Sequence, residues 1–191
     1  MIAILDYGSG NVNSVKKAFD YLGEDSIITS DSKEILDADK VVLPGVGNFG
    51  SVMKELKKRK LDTTIKKVIE AKKPFLGICV GLQVLFEESE ESPGIRGLGI
   101  LKGKAVRFRQ GKIPQIGWNK INSKSIGNGY VYFVDSYYAV PDDEDVIEST
   151  SDYYVKFAAA VKKNNVFATQ FHPEKSGKFG LEILRKWLNA S

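Results

Sequence analysis

The feature that most constrains the fold is an alternation of short apolar runs with segments of helical period, each run ending in a turn or a glycine-rich loop. Ile2–Leu5 runs into "DYGSGN"; residues 11–22 then carry Val12, Val15, Phe19 and Leu22 at helical spacing, closed by Gly23. Ser26–Thr29 is a second candidate strand. "KVVLPGVG" reads as a buried strand entering a glycine-rich loop, residues 61–72 as a helix with Ile65, Val68 and Ile69 inward, and "PFLGIC" as the next strand. Strands and helices in this alternation predict a parallel sheet with helices on both faces. From about Gly97 the pattern changes to short candidate strands at 105–108, 130–134, 157–161 and 166–171. A last helix over about 179–188 places Phe179, Ile183 and Trp187 on one stripe. The expected fold is one α/β domain over residues 1–191, three-layered, with antiparallel strands added in the second half.

Composition narrows the function classes. With 42% hydrophobic residues the 191-residue chain can bury a full core. Its 28 basic and 24 acidic side chains are dispersed in runs such as "KELKKRKL", which read as solvated helix faces rather than a nucleic-acid patch. No apolar segment approaches the roughly 20 residues that span a bilayer, and "MIAILDYGSGN" has no leader pattern, so a cytoplasmic location is expected. One cysteine, Cys79, excludes an intrachain disulfide; one histidine, His172, excludes a site with several imidazole ligands. No metal or cofactor is expected.

In "FLGICVGLQ" a strand reaches Gly77, Cys79 stands between Gly77 and Gly81, and a helix is expected to begin at once. This is the pattern of a nucleophile elbow, where glycines relieve crowding around a side chain held on a strained turn. A thiol at a helix N-terminus gains thiolate character, and the Val80 amide points where an oxyanion would form. The competing reading is a thiol packed as a small apolar group, common for free cysteine. "TQFHPEKS" supplies what the elbow needs. Pro173 favours an extended His172, and in an extended chain His172 and Glu174 share a side, so the carboxylate can orient the imidazole that activates Cys79. "LPGVGNFG" adds glycines that let backbone amides approach a ligand, without the spacing or lysine of a phosphate loop.

Together "GICVGLQVLFEES", "LPGVGNFG", "QFHPEKSG" and "PQIGWN" resemble the class I (triad) glutamine amidotransferases, and among them the glutaminase subunits of imidazole glycerol phosphate synthase. The resemblance runs from "DYGSGN" to the final helix and implies a flavodoxin-like, mostly parallel sheet. It implies Cys79 as nucleophile, His172 as proton carrier and Glu174 as its orienting group. The amides of Val46 and Val80 would form the oxyanion hole. Gly47, Gln83 and Glu91 match glutamine-binding positions, and the backbone at Ser136 and Tyr137 would hold the α-carboxylate. Asn11, Ser14, Trp118, Asn119 and Lys175 match positions facing a (β/α)₈ barrel cyclase, the partner that would receive the ammonia in a heterodimer. For Trp118, ordinary core burial competes with the interface role.

Two residues depart from that family, which commonly has histidine where this chain has Gln115 and Asp135. Neither is in the triad, so they bear on the partner instead. A paralogue serving a sugar amidotransferase, and a docking module without catalysis, are the alternatives.

Overall fold

The computed structural model describes residues 1–8 and 11–190, so Ser9 and Gly10 of "DYGSGN" and the terminal Ser191 lie outside the described residues. The first half runs β1 (Ile2–Leu5), α1 (Val12–Tyr21), β2 (Ser26–Thr29), α2 (Ser32–Asp37), β3 (Lys40–Leu43), α3 (Phe49–Lys58), α4 (Leu61–Glu70), β4 (Phe75–Ile78) and the single turn α5 (Val80–Gln83). The second runs β5 (Glu88–Ser89), β6 (Gly103–Arg107), β7 (Gln115–Ser123), β8 (Gly129–Asp135), β9 (Tyr137–Pro141), β10 (Ile147–Asp152), β11 (Lys156–Lys163), β12 (Val166–Thr169) and α6 (Gly177–Asn189).

Strands β2, β1, β3, β4 and β12 lie side by side and parallel, the flavodoxin-like order with the last strand of the chain in fifth place. Their runs are continuously apolar rather than alternating where both faces are covered; β1, β4 and β12 are buried throughout. Right-handed crossovers send α1 to one face, because β2 lies to one side of β1, and α2, α3 and α4 to the other, because β3 and β4 lie opposite. Helix α6 joins α1, with Trp187 and Phe19 ring centroids 6.0 Å apart.

Beyond β12 the sheet continues antiparallel through β11, β10, β7 and β8, with β5, β6 and β9 branching from β11. It curls back on itself. The His172 amide donates to Tyr132 O at 2.9 Å, and the Ser176 hydroxyl accepts from the Tyr132 amide at 2.9 Å, so β8 docks against the chain that leaves β12. Phe133, Phe157 and Phe171 fill the enclosed space with edge-on ring contacts.

Candidate active site

The site follows from strand order. β4 sits between β3 and β12, with Leu43 opposite Gly77 and Thr169 opposite Ile78, so the segments leaving the three carboxyl ends converge. Those segments are the Pro44–Gly47 loop, the Cys79 turn and the stretch from Gln170 to Glu174.

Cys79 has φ 56° and ψ −111°, a conformation that costs a non-glycine residue on the order of 1–3 kcal/mol and is held by its surroundings. Its amide donates to Thr169 O at 2.7 Å. A Cβ on Gly81 would stand 2.2 Å from Leu43 O, and one on Gly77 would stand 2.7 Å from Gly81 O. The flanking glycines therefore serve close backbone approach. The helix expected after Cys79 is one turn long, which leaves little macrodipole to act on the thiol. Val80 keeps the first helical position, where the N–H has no intrahelical acceptor.

Cys79 is 4% exposed, as a packed thiol would be, yet it opens on a cavity of about 170 Å³. Its Sγ lies 3.9 Å from Val134 O and 3.8 Å from Gln170 Nε2, both weak contacts. The cavity also collects Val46, Gly47, Val80, Gln83, Glu91, Ser136 and Tyr137, every oxyanion and substrate position named above. The larger cavity of about 730 Å³, beside Pro74, Phe167 and Trp187, holds none of these residues.

His172 and Glu174 form a buried pair, Nδ1 to Oε1 at 2.8 Å, with side chains 1% and 0% exposed. They are not aligned by an extended chain through Glu174. His172 is extended, but Pro173 opens a 3₁₀ turn over Pro173–Lys175, and that turn brings the carboxylate back under the imidazole. Burial opposes the imidazolium; Cys79 and Glu174 outweigh it and raise the His172 pKa to about 10 from an ordinary 6.5. Nε2, the ring nitrogen that does not face Glu174, is buried without a formed hydrogen bond. The folded value is the higher one. The stabilisation is therefore complete below pH 6.5 and lost as pH rises through about 10.

Gln83 is 3% exposed, and its Nε2 donates to Tyr137 O at 2.9 Å and to Gln170 Oε1 at 3.1 Å. It thus shapes the Ser136–Tyr137 wall. Glu91 Oε2 accepts from the Phe49 amide at 2.6 Å, tying the cavity rim to the first turn of α3. Gln170 was not singled out by sequence; the available signal was a polar residue two positions before His172 in an apolar strand.

The expected partner positions separate. Trp118 is 56% exposed, which overturns core burial for it, and Lys175 is exposed. Ile116 and Tyr130 extend the same face of the β7–β8 hairpin, where Trp118 stands opposite Tyr132. Asn119 alternates to the other face and donates to Asp152 O at 2.7 Å. Ser14 is half-buried in α1. Asn11 is half-buried and bonds Glu174, a contact the sequence did not announce.

Gln115 and Asp135 are cross-strand partners, both buried, with Gln115 Oε1 and both Asp135 carboxyl oxygens lacking hydrogen bonds. They alternate with the exposed face rather than sharing it. Burial pushes the Asp135 carboxyl well above its ordinary 3.8, against a smaller opposite pull from His172. A raised folded value removes stability as pH rises above 3.8 toward that value. Asp135→Asn is expected to be more stable than the parent at pH 7, with the gain vanishing below pH 3.8. Denaturant unfolding at the two pH values checks this; an equal change at both contradicts it.

The family model "Glutamine amidotransferase class-I" matches residues 3–190. The chain is 52% identical to imidazole glycerol phosphate synthase subunit HisH of Pyrococcus furiosus, covering 97% of each chain, and 48% identical to the subunit of that name in Methanocaldococcus jannaschii, covering 98% of each. A crystal structure of a glutamine amidotransferase superposes with a TM-score of 0.82 over 98% of this chain and 96% of that one, at 19% identity, a likeness of fold. No helix among the described residues is long and apolar enough to cross a membrane. A buried imidazole–carboxylate pair beside a strained cysteine, and a family match from end to end, lead to one conclusion: the chain belongs to the class I glutamine amidotransferases.

Proposed function

We propose that this chain is the glutaminase subunit of an imidazole glycerol phosphate synthase, working in the cytoplasm as a heterodimer with a (β/α)₈ barrel cyclase. The observation that carries the chemistry is Cys79, strained at the end of β4 on the wall of a cavity that holds every substrate position. The Cys79 thiol proton passes to His172, the sulfur attacks the side-chain carbonyl carbon of glutamine, and the amides of Val80 and Val46 receive the oxyanion. His172, protonated at neutral pH, gives its proton to the departing nitrogen; ammonia leaves and a glutamyl thioester remains. Neutral His172 then takes a proton from water, whose oxygen displaces the sulfur and yields glutamate. Glu174 holds the imidazole through both steps.

Gly47 and Glu91 line the cavity for the amino-acid end of the substrate, and Gln83 acts through the Tyr137 backbone that it holds. The exposed Trp118, with Lys175, is suited to the cyclase. Gln115 and Asp135 stand behind that surface, so their departure from histidine leaves it unaltered. The two relatives carry the choice of partner over a sugar amidotransferase.

Expression in a strain lacking its own glutaminase subunit tests the assignment. Growth without histidine at low ammonium is expected. No growth, in a strain that a known subunit restores, contradicts the choice of partner.

A further inference from the structure

Glu174 receives two described donors on one oxygen. Oε1 is bonded by His172 Nδ1 at 2.8 Å and by the Asn11 carboxamide at 2.7 Å, whereas Oε2 is buried without a partner. Asn11 begins α1, and its carbonyl accepts from the Ser14 and Val15 amides. Its side chain makes no cap bond to that helix. An asparagine in this place ordinarily accepts from the second or third helical amide and contributes about 1 kcal/mol. Here the backbone is left-handed, with φ 84°, and the carboxamide reaches instead to a carboxylate 163 residues away. Local helix stability is forgone for one contact, made with the group that orients the imidazole.

We infer that Asn11 is a positioning residue for the triad: its amide selects the Glu174 oxygen that holds His172 and ties the imidazole to the start of α1. The inference rests on the glutaminase reading for its use, though not for its test. A carboxylate anchored by His172 alone can turn to offer either oxygen; a second donor fixed to a helix removes that freedom. The neutral donor also shares the charge on Oε1 and so moderates its pull on the imidazolium. Any displacement of the first turn of α1 then reaches His172 through two hydrogen bonds.

His172 is the only imidazole in the chain, so its ring resonances can be followed without ambiguity in the full-length protein. In Asn11→Ala the Nδ1 proton is expected to shift and broaden, and the ring to titrate at higher pH than in the parent. In Asn11→Asp a second carboxylate faces Glu174. The ring is expected to titrate higher still, and the parental spectrum to return as the pair takes up a proton at low pH. With the cyclase present, Asn11→Ala is expected to lower kcat for glutamine on the order of tenfold to a hundredfold while KM changes little.

A purely structural Asn11 would lower the melting temperature and leave the resonances and titration of the folded protein superimposable on the parent, which overturns the inference. So would a parental kcat in Asn11→Ala. Should the parent itself not hydrolyse glutamine, the proposed function fails, and the resonances of His172 still decide the role of Asn11.

Discussion

Cys79→Ala is expected to lower glutamine-dependent turnover by a factor on the order of 10⁴–10⁶, the scale on which removing a nucleophile collapses a triad that works as a unit. Synthesis from added ammonia by the complex is expected to stay at the parental rate, because that nitrogen bypasses the thioester. The pairing separates chemistry from folding. Alanine must also adopt φ 56°, so some strain persists, but no buried polar group loses a partner stronger than the long contacts to Val134 and Gln170. Residual glutamine hydrolysis at the parental rate would place the nucleophile elsewhere.

Glu174→Gln carries the second largest expected effect. The replacement keeps volume and a carbonyl acceptor but removes the charge that helps lift His172 to about 10. A neutral amide supports the imidazolium less, so kcat is expected to fall on the order of 10³–10⁴. The alkaline limb of the pH profile, where His172 loses the proton meant for the leaving nitrogen, is expected to move down from about 10 toward the ordinary histidine range. Since the raised pKa stabilises the fold below that limb, the variant is also expected to lose stability at pH 7. An unmoved limb, or a kcat within a few-fold of the parent, would mean that the carboxylate does not act through the imidazole.

The parallel half of the fold was legible because covered strands have a strong signature: Ile2–Leu5, Ser26–Thr29, Lys40–Leu43 and Phe75–Ile78 lie where the apolar runs are. Helix α2 escaped notice because it has six residues and a single buried one, Ile35. Helix α3 escaped notice too, its start hidden in "LPGVGNFG", where Asn48 caps the helix from inside what reads as a loop. Strand β7 was missed because "QIGWNKINS" is polar and largely exposed on its outer face, its pairing with β8 and β10 being a tertiary matter.

Within the site, the residue types and their order announced Cys79, His172 and Glu174, and strand topology explains how residues 93 positions apart, Cys79 and His172, come to one end of the sheet: β4 and β12 are neighbours. The turn that brings Glu174 under His172 was read as extended chain, since proline at the first position of a 3₁₀ turn and proline after an extended residue look alike in sequence. Asn11 and Gln170 were illegible in their roles, because their contacts bridge segments 163 and 91 residues apart.

On the proposed function, the Cys79 site hydrolyses glutamine on behalf of another subunit. The most direct test is glutaminase turnover of this chain alone, and again with a (β/α)₈ barrel cyclase and its ligand. Gly45 precedes the Val46 amide and Gly47, exposed and at φ 104°, follows it, so the loop allows that amide to turn when the partner docks. An oxyanion donor added in this way is worth on the order of 10²–10³ in kcat. Low turnover alone and stimulation on that scale in the complex are the predicted result; equal turnover with and without the cyclase would contradict it.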